Sequence, residues 1–224
     1  MTTVILLRHA HSIANEKGVL AGRASGISLS KKGEVQAQEL KVRLGSLNFK
    51  EIRISPLERC LFTLQPWLNE RGISERKIVF DKGFSEVDYG TWTGKKLSLL
   101  SLKKEWRVVQ KSPSKMVFPD GESLSEVQKR AMKSLMKTVE MAEGGVALIV
   151  SHGDVIKSII AQCLGLELDK FQKIVIDPAS ISVLDYNRKN FRLLHLNDSS
   201  TNFDYLSKKS RSVKTLVGGG SGRA

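Results

Sequence analysis

Short apolar runs alternate along this chain with segments of helical period, and that alternation constrains the fold more than any other feature. Val4-Ile5-Leu6-Leu7 and Val146 to Val150 predict strands of the kind buried on both faces, and residues 51–54 and 77–80 predict two more strands. Between them, a helix is expected from Ser30, with Val35, Leu40 and Leu44 at helical spacing and Gly45 near its end. Ser55-Pro56 starts another through Leu57, Leu61, Leu64 and Leu68, in which Pro66 is expected to kink or interrupt the helix. The clearest helix follows Ser123, which has capping-box spacing to Glu126 and precedes the apolar stripe Leu124, Val127, Ala131, Leu135, Val139. Asp154 is placed to cap a helix through Ile156, Ile159, Ile160 and Leu164. Two final strands, around 181–184 and 191–196, flank the turn Asn187-Arg188-Lys189-Asn190. The pattern is that of an α/β domain.

Two stretches depart from the alternation. Residues 82–121 are long for a connection and rich in Gly, Ser and Lys, with one helix expected around 97–109; such inserts in compact domains are usually lids or binding loops. From about residue 198 the chain turns polar and basic, so the expected division is a domain over 1–197 and a mobile tail over 198–224.

A length of 224 residues suits one domain with a tail, and 41% hydrophobic and 26% charged residues suit a globular core. No stretch approaches the roughly 18–20 apolar residues of a membrane span. The N-terminal apolar run is four residues long and lacks a preceding basic region, unlike a secretory signal. Cys60 and Cys163 form no metal-type or redox-type pair, and a cytoplasmic location is expected. The formal charge of +13 is spread along the chain except for a cluster near its end, without zinc-finger or RNP-type patterns. It reads mainly as solvated surface, with a share that draws phosphate to a site. Neither nucleic acid nor membrane is expected as a partner.

The chemistry lies where two strands end. His9 follows Val4–Leu7, and His152 follows Val146–Val150. Ligands of open parallel sheets bind beyond the carboxyl ends of strands. If these strands are neighbours, both imidazoles and Arg8 meet in one crevice, and Arg59, early in its helix, joins them. Guanidinium pairs bidentately with phosphate oxygens, so this cup suits a phosphoryl group. An imidazole there is able to attack phosphorus, and a carboxylic acid from the long insert, Glu86 or Asp88, to protonate the leaving alkoxide. Singly, each residue has a plainer reading as a cap, a turn or a surface charge. Their order and their places at strand ends outweigh those readings.

Taken together, the motifs resemble those of the histidine phosphatase superfamily, in its small, bacterial phosphatase-type branch. Leu7-Arg8-His9-Ala10 with Asn15 is similar to its N-terminal motif, and Ser55-Pro56-Leu57-Glu58-Arg59-Cys60 with Thr63 to its second. Glu86 followed by Gly90, Trp92 and Gly94 resembles its acid loop. Pro119-Asp120-Gly121-Glu122-Ser123 resembles the segment before the long helix, and Ser151-His152-Gly153 the final motif. The resemblance covers about residues 3 to 197. It implies a three-layer α/β sandwich around a mixed, mostly parallel sheet, with His9 as the phosphorylated nucleophile and Glu86 as proton donor. Arg8, Asn15, Arg59, His152 and Gly153 would bind phosphate; no metal or organic cofactor is implied, and the partner would be a small phosphorylated metabolite. Ala10 stands where the family usually has Gly, which is tolerable unless the position needs a positive φ. His11 beside it is either a rim residue or an influence on substrate choice.

The function expected is a phosphatase, with water as final acceptor. The alternatives are a mutase of the phosphoglycerate type, whose acid-loop Arg and His this chain lacks, and a catalytically weak relative that binds phospho-ligands. Lys95, Lys96, Lys103, Lys104 and Arg107 suggest a second anionic group on the ligand or, equally, a solvated face. The physiological substrate and the oligomeric state are not legible.

Overall fold

Four consecutive residues of β1 (Thr2–Arg8), Val4 to Leu7, are completely buried, and their alternate side chains enter two different cores. Val4 and Leu6 face one helical layer, Ile5 and Leu7 the other. A strand apolar on both faces can only be central, as the uninterrupted run predicted. The structure, a computed structural model, describes residues 1–187 and 189–207; Arg188, in the expected final turn, and residues 208–224 of the expected tail lie outside them.

After β1 come α1 (Ile13–Glu16), α2 (Lys31–Leu44), β2 (Glu51–Ile54), α3 (Glu58–Glu70) and β3 (Val79–Phe80). The insert holds α4 (Leu97–Leu100) and α5 (Trp106–Lys111), and α6 (Leu124–Met141), β4 (Val146–Ser151), α7 (Gly153–Cys163), β5 (Ile181–Asn187) and β6 (Asn190–Asp198) follow. The six strands form one sheet in the order β3-β2-β4-β1-β5-β6. β3, β2, β4 and β1 are parallel, β5 pairs antiparallel with β1, and β6 pairs antiparallel with β5. α2 and α3 bury Leu40, Leu44, Leu64, Trp67 and Leu68 on one face; α6 and α7 bury Val127, Ala131, Leu135, Ile156 and Ile160 on the other. This is the three-layer, mixed and mostly parallel α/β sandwich anticipated. Among the described residues no helix is long and apolar enough to cross a membrane.

Several details differ from expectation. Pro66 lies inside α3 without ending it; the hydrogen bond it forfeits would reach the carbonyl of Phe62, a residue 43% exposed, where water can substitute. The third strand keeps only its last two residues, because Ser74 caps a 3₁₀ turn over Glu75–Lys77. The helix expected at 97–109 is two short ones. Asp154 does not cap α7: His152 is the N-cap residue, and Asp154 sits in the first turn with its carboxylate turned to Tyr89 and Lys157. The insert is also no loose loop, since Trp92, Leu100, Val109, Met116 and Phe118 are buried in the α6–α7 core.

The boundary at 197 needs correction. Phe203 is fully buried and Leu206 nearly so in the α2–α3 core, Phe203 N–H donates to the Arg43 carbonyl (2.8 Å), and Asp204 Oδ1 accepts from Ser46 N–H (2.7 Å). The domain therefore runs at least through Ser207, and a polar composition around one buried aromatic concealed it. Phe203→Ala is expected to destabilise the domain by about 3–5 kcal/mol in urea unfolding, the usual cost of emptying a buried Phe site. A change within 0.5 kcal/mol would mean that this segment does not belong to the core.

Candidate active site

β1 and β4 are hydrogen-bonded neighbours in a register that sets Arg8 against Ser151, so the residues that follow, His9 and His152, leave the sheet side by side. The rings lie 5.1 Å apart, edge to face. A cavity of about 200 Å³ opens at these strand ends, lined by Arg8, His9, Asn15, Arg59, Glu86 and Gly153 among others. The condition placed on the sequence reading, that the two strands be adjacent, is met.

His9 is buried, and its Nδ1 lies 2.7 Å from the carbonyl oxygen of Ala10. A carbonyl only accepts, so Nδ1 carries the hydrogen and Nε2 keeps a free lone pair. Burial, reinforced by Arg59 and Arg8, holds this imidazole well below the usual histidine range, so it is neutral at pH 7. Ala10 fits without strain. It is not among the residues at positive φ, its N–H donates to Thr63 Oγ1 (2.8 Å), and its methyl packs with Leu29, Ala37 and Ala179. His11 turns away to Ser30 Oγ (2.8 Å) and does not line the cavity.

Backbone carbonyls hold both arginines at the cavity wall. Arg8 Nη1 donates to the Ile176 carbonyl (2.6 Å), and Arg59 Nη2 to the Gly22 carbonyl (2.8 Å). Their Nε–H groups are buried and without partners. An unsatisfied buried donor costs about 1–3 kcal/mol, and more when charged, so both favour an anion between them. Asn15 closes a capping box in which its amide oxygen accepts from the Ser12 N–H and hydroxyl, leaving its amide NH₂ to donate into the cavity. Gly153 begins α7, whose free N–H groups add positive potential at the same point.

His152 is fully buried behind this group and is not itself a wall of the cavity. Arg59 Nη2 approaches its Nδ1 (3.2 Å), which makes that nitrogen the acceptor and Nε2 the donor to Ser55 Oγ (2.7 Å). Burial, Arg59 and His9 keep it, too, well below the usual histidine range.

Glu86, the carboxylate expected as proton donor, and Asp88, the other candidate of its loop, separate here. Asp88 pairs with Arg23 and accepts from Gly90 N–H, away from the cavity. Glu86 lines it, with Oε1 accepting from Val87 N–H (2.9 Å) and Oε2 3.7 Å from His152 Nδ1. Burial, then the charge of Asp154, push its carboxyl up to about 7, against Arg59, the Val87 N–H and Arg8. It is thus poised to give and retake a proton near neutrality. Asp154→Asn removes an anion that raises it. The alkaline limb of a kcat/KM profile should move to lower pH in that variant, and an unmoved limb would exclude this coupling.

Sequence reasoning overlooked Lys157 and Tyr89, both lining the cavity around Asp154: Tyr89 OH donates to Asp154 Oδ2 (3.0 Å), and Lys157 Nζ lies 3.3 Å from Oδ1. The i,i+3 spacing of Asp154 and Lys157 just after Ser-His-Gly was the available signal. Lys95, Lys96, Lys103, Lys104 and Arg107 are exposed and line no part of this cavity, which favours the solvated-face reading. Among the described residues no group of three or more His, Cys, Asp or Glu is placed to hold a metal ion.

Two arginines, a neutral imidazole and a protonatable carboxyl thus meet at adjacent strand ends, an arrangement suited to phosphoryl transfer. The family model of the histidine phosphatase superfamily (branch 1) matches residues 4–199, and the chain belongs to that superfamily. Its curated relatives include "Phosphoserine phosphatase 1" of Hydrogenobacter thermophilus, 28% identical over 199 residues, 88% of this chain and 92% of that protein. "Probable phosphoglycerate mutase GpmB" of Erwinia tasmaniensis is 29% identical over 190 residues, 84% of this chain and 86% of that one. Among solved structures, Bacillus stearothermophilus YhfR superposes with a TM-score of 0.82 at 26% identity, over 89% of this chain and 98% of that one.

Proposed function

We propose that this phosphatase transfers the phosphoryl group of a small phosphate monoester to Nε2 of His9 and then to water. The observation that carries the reading is the His9 Nδ1–Ala10 carbonyl hydrogen bond (2.7 Å), which leaves the Nε2 lone pair free in a cavity lined by two arginines. In the first step Nε2 attacks phosphorus, the bond to the ester oxygen breaks, and Glu86 gives its proton to the departing alkoxide. In the second, the Glu86 carboxylate takes a proton from water as its oxygen attacks the phosphohistidine, and His9 is regenerated. Arg8, Arg59, the Asn15 amide and the N-terminal N–H groups of α7 hold the phosphoryl oxygens, while His152, buried behind them, accepts from Arg59 and anchors it.

The alcohol part is small. The cavity, at about 200 Å³, falls below the roughly 300–1,000 Å³ common for drug-sized ligands, and phosphate fills a share of it. Relatives named for phosphoserine and for phosphoglycerate make those two esters natural members of a test panel. Phosphate release is expected from a small alkyl phosphate without formation of an isomeric phosphate ester. An isomerised phosphoglycerate, with little free phosphate, would support the mutase reading instead.

A further inference from the structure

Glu86 reaches the cavity from a loop with no regular structure, so something else must fix its backbone. The carbonyl oxygen of Glu86 accepts from two guanidiniums, Arg23 Nε (2.9 Å) and Arg130 Nη2 (3.1 Å). Both converge on one carboxylate. Glu122 Oε1 accepts from Arg23 Nη2 (2.7 Å), Arg130 Nη2 (2.7 Å) and the Asp88 N–H (2.9 Å), and Oε2 from Arg130 Nε (3.0 Å). Arg130 Nη1 further donates to the Gly83 carbonyl (2.8 Å).

This arrangement is rooted in rigid parts. Arg130 stands on α6, whose capping box by Ser123 and Glu126 begins one residue after Glu122. Residues 119–122 press directly on the acid loop: Glu122 N–H donates to the Asp88 carbonyl (3.0 Å), and Thr91 N–H to that of Pro119 (3.0 Å). Gly90, at φ +51°, has no room for a side chain, since a Cβ there would lie 1.9 Å from the Pro119 oxygen. On the other side, Arg23 follows Gly22, whose carbonyl receives Arg59. One carboxylate thereby ties together the segment that supports Arg59, the loop that bears Glu86, and the long helix.

We infer that Glu122 is a positioning residue for the acid step, its carboxylate fixing the Glu86 backbone against the phosphate cup through Arg23 and Arg130. The inference rests on the proposed role of Glu86. A side chain held only through its loop is displaced when the loop is freed, and a displacement of about 1 Å can cost on the order of a hundredfold. Glu122 is the carboxylate that both guanidiniums share; without it Arg23 keeps the longer contact to Asp88 (3.4 Å) and Arg130 keeps carbonyl acceptors, so neither is clamped against the Glu86 carbonyl by a common counter-charge.

The test separates positioning from general support by the leaving group. An alkyl phosphate needs the proton of Glu86, whereas 4-nitrophenyl phosphate expels an anion stable without it. Glu122→Gln should reduce kcat/KM for a small alkyl phosphate by about 10–100-fold while reducing that for 4-nitrophenyl phosphate less than about threefold. Adding Glu122→Gln to Glu86→Gln should cost little more on the alkyl ester. Arg130→Lys, which keeps charge but loses the fork, should show the same contrast and covers the case of a misfolded Glu122 variant. Equal losses on both esters, or full additivity with Glu86→Gln, would overturn the inference. Turnover of both esters by wild type, abolished in His9→Ala, checks the underlying mechanism separately; its absence would remove the reaction itself and the inference with it.

Discussion

Replacing His9 with alanine is expected to lower kcat/KM for any phosphomonoester by at least about 10⁴-fold, or roughly 5.4 kcal/mol of transition-state stabilisation. The loss is expected to be this large because the proposed attacking atom is Nε2 of this imidazole, and neither the arginines nor His152 offers a nitrogen lone pair to replace it. The arginines donate only, and His152 has its Nδ1 facing Arg59 and its Nε2 bonded to Ser55. Binding should survive, since Arg8, Arg59 and Asn15 still line the cavity. Inorganic phosphate is therefore expected to protect the variant against thermal unfolding about as it protects wild type. Variant turnover within tenfold of wild type would exclude His9 as nucleophile.

The second large effect belongs to Glu86. Glu86→Gln keeps the shape and the Val87 hydrogen bond but has no proton to transfer, so kcat/KM for an alkyl phosphate falls by about 10²–10⁴-fold. For 4-nitrophenyl phosphate kcat/KM, which reports the first transfer, falls much less. kcat is expected to drop on both esters, because in the proposed second step Glu86 is also the base that activates water. The pH dependence follows from the direction of each shift. His9 must be neutral, and its lowered value puts the acid limb of kcat/KM below the ordinary histidine value of 6.5. Glu86 must be protonated for the first step, and its carboxyl, raised to about 7, loses its proton as pH climbs through that value. Wild-type activity on an alkyl phosphate should thus decline on the alkaline side around pH 7, and in Glu86→Gln that limb should vanish. A limb that persists in the variant would assign it to another group.

Much of this site was readable from residues that follow strands. A buried strand declares itself by an unbroken apolar run, so Val4–Leu7 and Val146–Val150 located His9 and His152 before any coordinates, and their pairing is what an open parallel sheet makes of them. Arg59 was readable because it follows strand β2 in the same way. Tyr89 was not, since it reaches the cavity from the insert by packing, and Asp154 and Lys157 carried only the weak signal of an i,i+3 charge pair after Ser-His-Gly. Residue chemistry alone left Glu86 and Asp88 level, and only the resemblance of the acid loop pointed to Glu86. Both lie in one loop, and only the position of Arg23 and Gly90 decides which carboxylate faces the cavity. Phe203 shows the limit in the opposite direction: one buried aromatic in a polar segment is invisible to periodicity, yet it extends the domain past the expected boundary.

The central claim is a covalent phosphoryl group on His9, and chemical quenching during turnover tests it most directly. With a substrate labelled in its phosphorus, wild type stopped within one turnover should carry label that is acid-labile, stable to alkali, and located by peptide mapping to His9. The label should accumulate in Glu86→Gln supplied with 4-nitrophenyl phosphate, because the second step lacks its base. Turnover without any label on the protein at any quench time, or label on a residue other than His9, would contradict the mechanism.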